Sequence, residues 1–193
     1  MTQPNAGLAG GVRQQGLGRG TWITVGAIVL ACVGVVTVWS RLRGSQNDVT
    51  SGMHVTGGTA VQAGRYLVMV GGCNDCHTPL FMQKGMAVPE SEWLTGVPVG
   101  WRGPWGTTYG SNLRLLVQMV SEDGWVKMMQ TRDARPPMPW TSLHATSEPD
   151  LRAVYQYIKD LGPKGESMPG ALPPGQEPTT PYLVMEPQMP KGK

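Results

Sequence analysis

Phenylalanine is almost missing from this chain: 1 residue, against 7 Trp and 12 Met in 193 positions. A core built without it leans on large indoles and on soft thioethers that fill irregular gaps. Cysteine is scarce as well. The set of 3, with Cys32 alone in an apolar run, excludes a structural disulfide framework. Only His54, His77 and His144 supplement it, and their spacing from Cys73 and Cys76 does not suit a zinc site. Over most of the chain an excess of either charge is lacking too. Arg13, Arg19, Arg41 and Arg43 are four of the 16 Lys and Arg, so from Gly44 onward 12 remain against 13 Asp and Glu. The net charge of +3 therefore belongs to the first 43 residues. With no basic face implied beyond them, nucleic acid is excluded as a partner.

What is present begins with one long uncharged run, "TWITVGAIVLACVGVVTVWS", from Thr21 to Ser40. Twenty helical residues span roughly 30 Å, the thickness of a hydrocarbon core. Trp22 and Trp39 fall at its ends, where interfacial aromatics belong, and arginines flank both sides. A cleaved signal peptide would have a shorter apolar region and a small-x-small site, which "VWSRLRG" lacks. A lipoprotein-like box, "VLAC", fits poorly because Leu30 is awkward there and the chain stays apolar after Cys32. The expectation is a single transmembrane helix at 21–40 in contact with the lipid bilayer, preceded by an N-terminal tail at 1–20. A flexible Gly/Ser/Thr-rich linker at 41–56 follows it.

The stretch "GGCNDCHTP", residues 71–79, carries the chemistry. Cys73, Cys76 and His77 form C-x-x-C-H, the attachment pattern of c-type haem. Two thiols at this spacing match the two vinyl groups on one porphyrin edge, and the adjacent histidine falls beneath the iron. A thioredoxin-like dithiol also uses C-x-x-C but requires a preceding buried strand. Here "AVQAGRYLVMVGG" precedes the motif, with Val61, Tyr66, Met69 and Val70 spaced as a helix face.

A second ligand candidate lies 61 residues beyond His77, where "RPPMPW" (135–140) sets Met138 between prolines that restrict its backbone. Thioether ligation leaves a haem iron with no open position. Ser147, Pro149 and Asp150 then signal a helix start, followed by Leu151, Val154, Tyr155, Ile158 and Leu161 at helical spacing until Gly162-Pro163. Another helix is expected after Ser121, in "SEDGWVKMMQ".

In this order of elements, "CNDCH", "PPMPW" and "LRAVYQYIKDL" make residues 57–162 resemble the class I cytochrome c family. The resemblance implies an all-α domain of three or more helices wrapped around one covalent haem c, with His77 and Met138 as the axial metal ligands. It implies a crossing of first and last helices at Gly64 and Tyr157, and places the backbone acceptor for the haem histidine at Pro79 or Pro98. "GPWGTTYGSNL" (103–113) is similar to a stretch near the haem edge in cytochrome subunits of membrane-bound dehydrogenase complexes. Trp101, Trp105, Tyr109 and Trp140 are candidates to wall the porphyrin, and Arg102 to pair with a propionate.

The fold expected is therefore a transmembrane helix, an all-α cytochrome domain at 57–162 and an extended Pro-rich tail at 163–193. That tail, with 8 prolines between 162 and 193, reads either as disordered or as an arm along its own domain or a partner, anchored by Tyr182, Leu183, Val184 and Met185. Its removal from residue 164 onward is expected to leave the haem spectrum unchanged.

The function implied is an electron carrier rather than an enzyme, a membrane-anchored mono-haem cytochrome. It would pass single electrons between a dehydrogenase or quinol-oxidising complex and an acceptor, either tethered alone or as a subunit of a membrane complex with redox partner proteins. The resemblance implies a single-pass protein of the bacterial inner membrane, its haem domain in the periplasm and its N-terminus in the cytoplasm. Two rivals stand beside it: a haem peroxidase or sensor with an open distal site and His144 in its pocket, and a haem-free thiol oxidoreductase using Cys73 and Cys76.

Overall fold

A computed structural model describes residues 52–187, 189 and 190, all within one compact unit, Thr50–Lys193. Helix α1 (Ala60–Val70) starts at a reciprocal capping box: Thr59 Oγ1 accepts from Gln62 N, and Gln62 Oε1 accepts from Thr59 N. It buries Ala63, Gly64 and Val68. Tyr66 and Val70, two of the residues spaced as a helix face, are 55% and 61% exposed. Gly64 is what turns the helix. A Cβ there would lie 2.0 Å from the Ala153 carbonyl oxygen and 2.7 Å from Tyr157 Cβ, so the missing side chain lets the last helix seat directly on this backbone.

That last helix, α7 (Glu148–Asp160), is capped by Ser147, whose side chain accepts from Asp150 N at 3.4 Å, with Pro149 in the first turn. It buries Leu151, Ala153, Tyr155, Tyr157 and Ile158, each large apolar side chain contributing about 1.5–3 kcal/mol. Two further helices pack around it. α4 (Leu113–Met119) is capped by Asn112, and α5 (Glu122–Thr131) by Ser121, as the sequence indicates. Trp125 Nε1 donates to Leu151 O at 3.0 Å and Tyr155 Oη to Val120 O at 3.0 Å, so these aromatics bring their polar ends into the core already paired. Short helices α2 (Cys73–His77), α3 (Phe81–Lys84) and α6 (Trp140–Ala145) carry the connections.

Two expectations are corrected. The described chain is not all-α: it contains a three-stranded mixed sheet. Strands β1 (Val97–Gly103) and β2 (Gly106–Gly110) form an antiparallel hairpin with Trp101 opposite Thr108. Strand β3 (Tyr182–Val184), from the Pro-rich tail, runs parallel to β1 with Leu183 beside Trp101, giving the order β2-β1-β3. Pro98, Gly100 and Gly103 are poor strand formers, so local propensity hides a pairing that the tail stabilises from far along the chain.

The second correction concerns the membrane. No helix among the described residues is long and apolar enough to cross one, against the single transmembrane helix and single-pass inner-membrane location expected above. Residues 21–40, from which both were read, lie outside the described residues.

The arm from Pro163 to Pro187 lies on its own domain rather than trailing free. Leu172 bridges Thr107 on the β2 side, while Tyr182–Val184 pair with β1 on the other. Its root is fixed by Arg114, only 5% exposed. The guanidinium donates to the Ser91 carbonyl at 2.7 Å and to the carbonyls of Leu161 and Gly162, just past the end of α7. A cation there is favoured by the helix dipole and satisfies orphan acceptors.

Candidate functional site

Gly72 adopts φ +67°, the left-handed conformation that lets the chain turn from α1 into the five-residue helix of the motif. The helix is held by its own non-cysteine residues. Asn74, 1% exposed, accepts from Thr78 Oγ1 at 2.6 Å, and Thr78 Oγ1 in turn accepts from Leu94 N at 2.8 Å. Leu94 sits at φ +61°, a conformation costing about 1–3 kcal/mol, and is held there by that bond and by Leu113 N donating to its carbonyl at 3.0 Å. Gly96 N donates to the His77 carbonyl at 2.8 Å. The loop 78–96 thus closes around the motif.

Cys73 and Cys76 are free, half-buried thiols. Burial, which disfavours the thiolate, pushes Cys73 up to about 11 and raises Cys76 as well, with Asp75 adding to both. A redox dithiol needs the opposite shift. His77 is 6% exposed. Its Nδ1 lies 2.7 Å from the Ser111 carbonyl oxygen, which can only accept, so Nδ1 carries the proton and the lone pair is on Nε2. Burial lowers the imidazole's proton affinity and the Ser111 bond partly opposes it. The acceptor expected at Pro79 or Pro98 is thus Ser111, one residue beyond β2. Gly110 makes this approach feasible: a Cβ there would stand 1.8 Å from the Cys76 carbonyl oxygen.

The same strand reaches the second ligand candidate. Thr108 Oγ1 donates to Pro136 O at 2.7 Å, bracing the segment in which Met138 is half-buried. Trp140 N donates back to Met138 O at 2.9 Å.

Four buried polar atoms lack partners among the described residues: Trp101 Nε1, Trp105 Nε1, Trp140 Nε1 and Thr107 Oγ1. Each unpaired buried donor costs about 1–3 kcal/mol. Trp101 shares a sheet face with Thr108, opposite it in register, and Trp140 opens α6 directly after the Met138 segment. Unfilled donors on both segments fit a ligand that carries acceptors. Arg102 and Tyr109 are engaged elsewhere. Arg102 forks onto the Glu177 carboxylate and donates to Tyr182 Oη at 3.2 Å, and Tyr109 Oη lies 3.0 Å from Thr180 Oγ1. Both are bound to the arm. His144 is exposed, its Nε2 3.0 Å from the Arg132 carbonyl.

Among the described residues no group of three or more His, Cys, Asp and Glu could hold a metal ion. The general expectation of a metal-binding protein is corrected to that extent: no side-chain cluster here would hold a bare ion. Compared with protein-family models, curated proteins and solved structures, the chain finds no match, so the resemblance to class I cytochromes c rests on its own motifs.

Sequence reasoning missed Ser111, Gly110, Thr108 and Asn112. Ser111 acts through its backbone carbonyl, which leaves no side-chain signature. The stretch that holds them, "GPWGTTYGSNL" (103–113), was singled out only through the family resemblance, without a role for these residues.

Proposed function

We propose that this chain is a mono-haem c-type cytochrome that carries single electrons between redox partner proteins and performs no bond chemistry of its own. One observation carries the reading. Within a C-x-x-C-H helix, His77 is buried with Nδ1 committed to a backbone carbonyl, which leaves Nε2 as the ligand atom, beside two free thiols. A haem c, when bound, supplies a one-electron iron couple. Cys73 and Cys76 would hold it through thioethers, and His77 Nε2 would supply a nitrogen ligand, its orientation set by Ser111. Met138 would supply a thioether as the second ligand. Trp101, Trp105 and Trp140 supply unpaired N–H groups suited to the propionate carboxylates and, with the loop 78–96, exclude water.

The raised thiol values stand against a dithiol oxidoreductase, and the placement of His144 on the Arg132 carbonyl gives no support to an open distal pocket built on it. The test is haem staining of the denatured chain after expression with a cytochrome c maturation system. The wild type is expected to stain, Cys73→Ala and Cys76→Ala to lose most of the stain, and His77→Ala to lose it. Wild-type chain without stain would refute the reading.

A further inference from the structure

The arm touches both segments that carry the proposed ligands. On the His77 side, Asn112 is 5% exposed. Its Nδ2 donates to the carbonyls of Lys164 and Glu166 at 2.8 and 3.1 Å, while its Oδ1 accepts from Leu115 N at 3.1 Å. Asn112 follows Ser111, so the peptide whose carbonyl holds His77 is clamped between the start of α4 and the root of the arm.

On the Met138 side the arm works through one residue. Leu172 N donates to Thr107 O at 2.8 Å, and Leu172 O accepts from Thr107 N at 3.0 Å. The same Leu172 oxygen accepts from Arg135 Nη1 at 2.7 Å. Leu172 is therefore the joint between β2 and the segment 132–139. The ends of that segment are held, by Arg132 N on Met128 O, by His144 on the Arg132 carbonyl and by the start of α6 on Met138 and Pro139. Between them Arg132 to Pro136 are exposed, and besides Arg135 the tie to the sheet is the bond from Thr108 to Pro136.

We propose that the arm is part of the apparatus that keeps Met138 at its post, with Arg135 and Leu172 as positioning residues that act through the Met138 segment. The inference rests on the haem reading above. Docked, the arm holds the Met138 segment beside β2; undocked, it frees that segment. Removing residues 164–193 is then expected to change the haem spectrum, the reverse of what the sequence implied. An exposed charge-assisted hydrogen bond shifts the ratio of held to released segment by up to about tenfold.

The experiment uses full-length, haem-loaded wild type, Arg135→Ala, Arg135→Lys and Leu172→Pro, with Met138→Ala as the fully open reference. Three readouts are taken: haem stain of the denatured chain, the thioether–iron charge-transfer band of the oxidised protein, and carbon monoxide binding to the reduced protein. Equal stain is expected throughout. Arg135→Ala and Leu172→Pro are expected to lose part of the band and to raise the carbon monoxide-binding fraction severalfold to tenfold, with Arg135→Lys between them and wild type. Trypsin cleavage after Arg132 is expected to quicken in Arg135→Ala and Leu172→Pro, a readout that needs no haem. Stained variants that keep the full band and exclude carbon monoxide as wild type does would overturn the role of the arm. An unstained wild type would instead overturn the haem reading beneath it.

Discussion

Gly110→Ala gives the most direct test of how the site is assembled. Gly110 has ordinary backbone geometry, so alanine meets no conformational penalty there, and contact alone decides the outcome. The new Cβ would lie 1.8 Å from the Cys76 carbonyl oxygen and 2.8 Å from its carbon. Both are backbone atoms of a helix pinned by Asn74 and Gly96, so neither can swing aside. Relief to the shortest contact that real Cβ atoms show, 3.0 Å, requires β2 to withdraw by about 1.2 Å. The next residue, Ser111, would carry its carbonyl along, stretching the 2.7 Å bond to His77 Nδ1 to roughly 3.9 Å, beyond hydrogen-bond range. Overpacking of this kind costs about 1–3 kcal/mol. An N–H left unpaired in a 6%-exposed imidazole adds about 1–3 kcal/mol, for a total near 2–6 kcal/mol. Urea unfolding of purified Gly110→Ala, followed by tryptophan fluorescence, is the assay, with Ser111→Ala as a control that keeps the carbonyl. Stability of Gly110→Ala within about 1 kcal/mol of wild type would refute the proposed geometry.

Two further outcomes follow from the α1–α7 crossing. Gly64→Ala raises helix propensity by about 1 kcal/mol, yet its Cβ would stand 2.0 Å from the Ala153 carbonyl oxygen. A net loss of about 2 kcal/mol or more is expected in the same unfolding assay, and a gain would show that the helices are not in backbone contact. Glu90 accepts from Arg65 Nε at 2.9 Å and from Tyr157 Oη at 2.8 Å. Arg65 first, and Tyr157 after it, hold its carboxyl below the usual carboxylate range. A depressed acid contributes stability above its unfolded value, about 4.3, and loses that contribution as pH falls through the folded value. Glu90→Gln is therefore expected to flatten the fall in stability below about pH 4.5 while lowering stability at pH 7. An unchanged acid limb would show that the pair adds nothing measurable, as exposed pairs often do.

Helix starts were legible where chemistry is local: the Ser147 and Ser121 caps act through residue type at fixed spacing, and α7 and α5 begin where they stand. The approach of α1 and α7 at Gly64, which the family resemblance implied, is present as well. The sheet was not legible. Its strands carry Pro98, Gly100 and Gly103, and their partner lies about eighty positions later in a proline-rich arm. The acceptor for His77 was not legible either, because any residue supplies a carbonyl and only the path of the chain decides which one arrives.

By itself, then, the sequence determined which atoms are available: two thiols, one imidazole and a thioether flanked by prolines. Tertiary structure alone decided how they are held. Hydrogen bonds from side chains to distant backbone carbonyls join His77 to Ser111, Thr108 to Pro136 and Arg135 to Leu172. Every residue supplies the accepting carbonyl, so the chain's path alone selects it and no local pattern announces it.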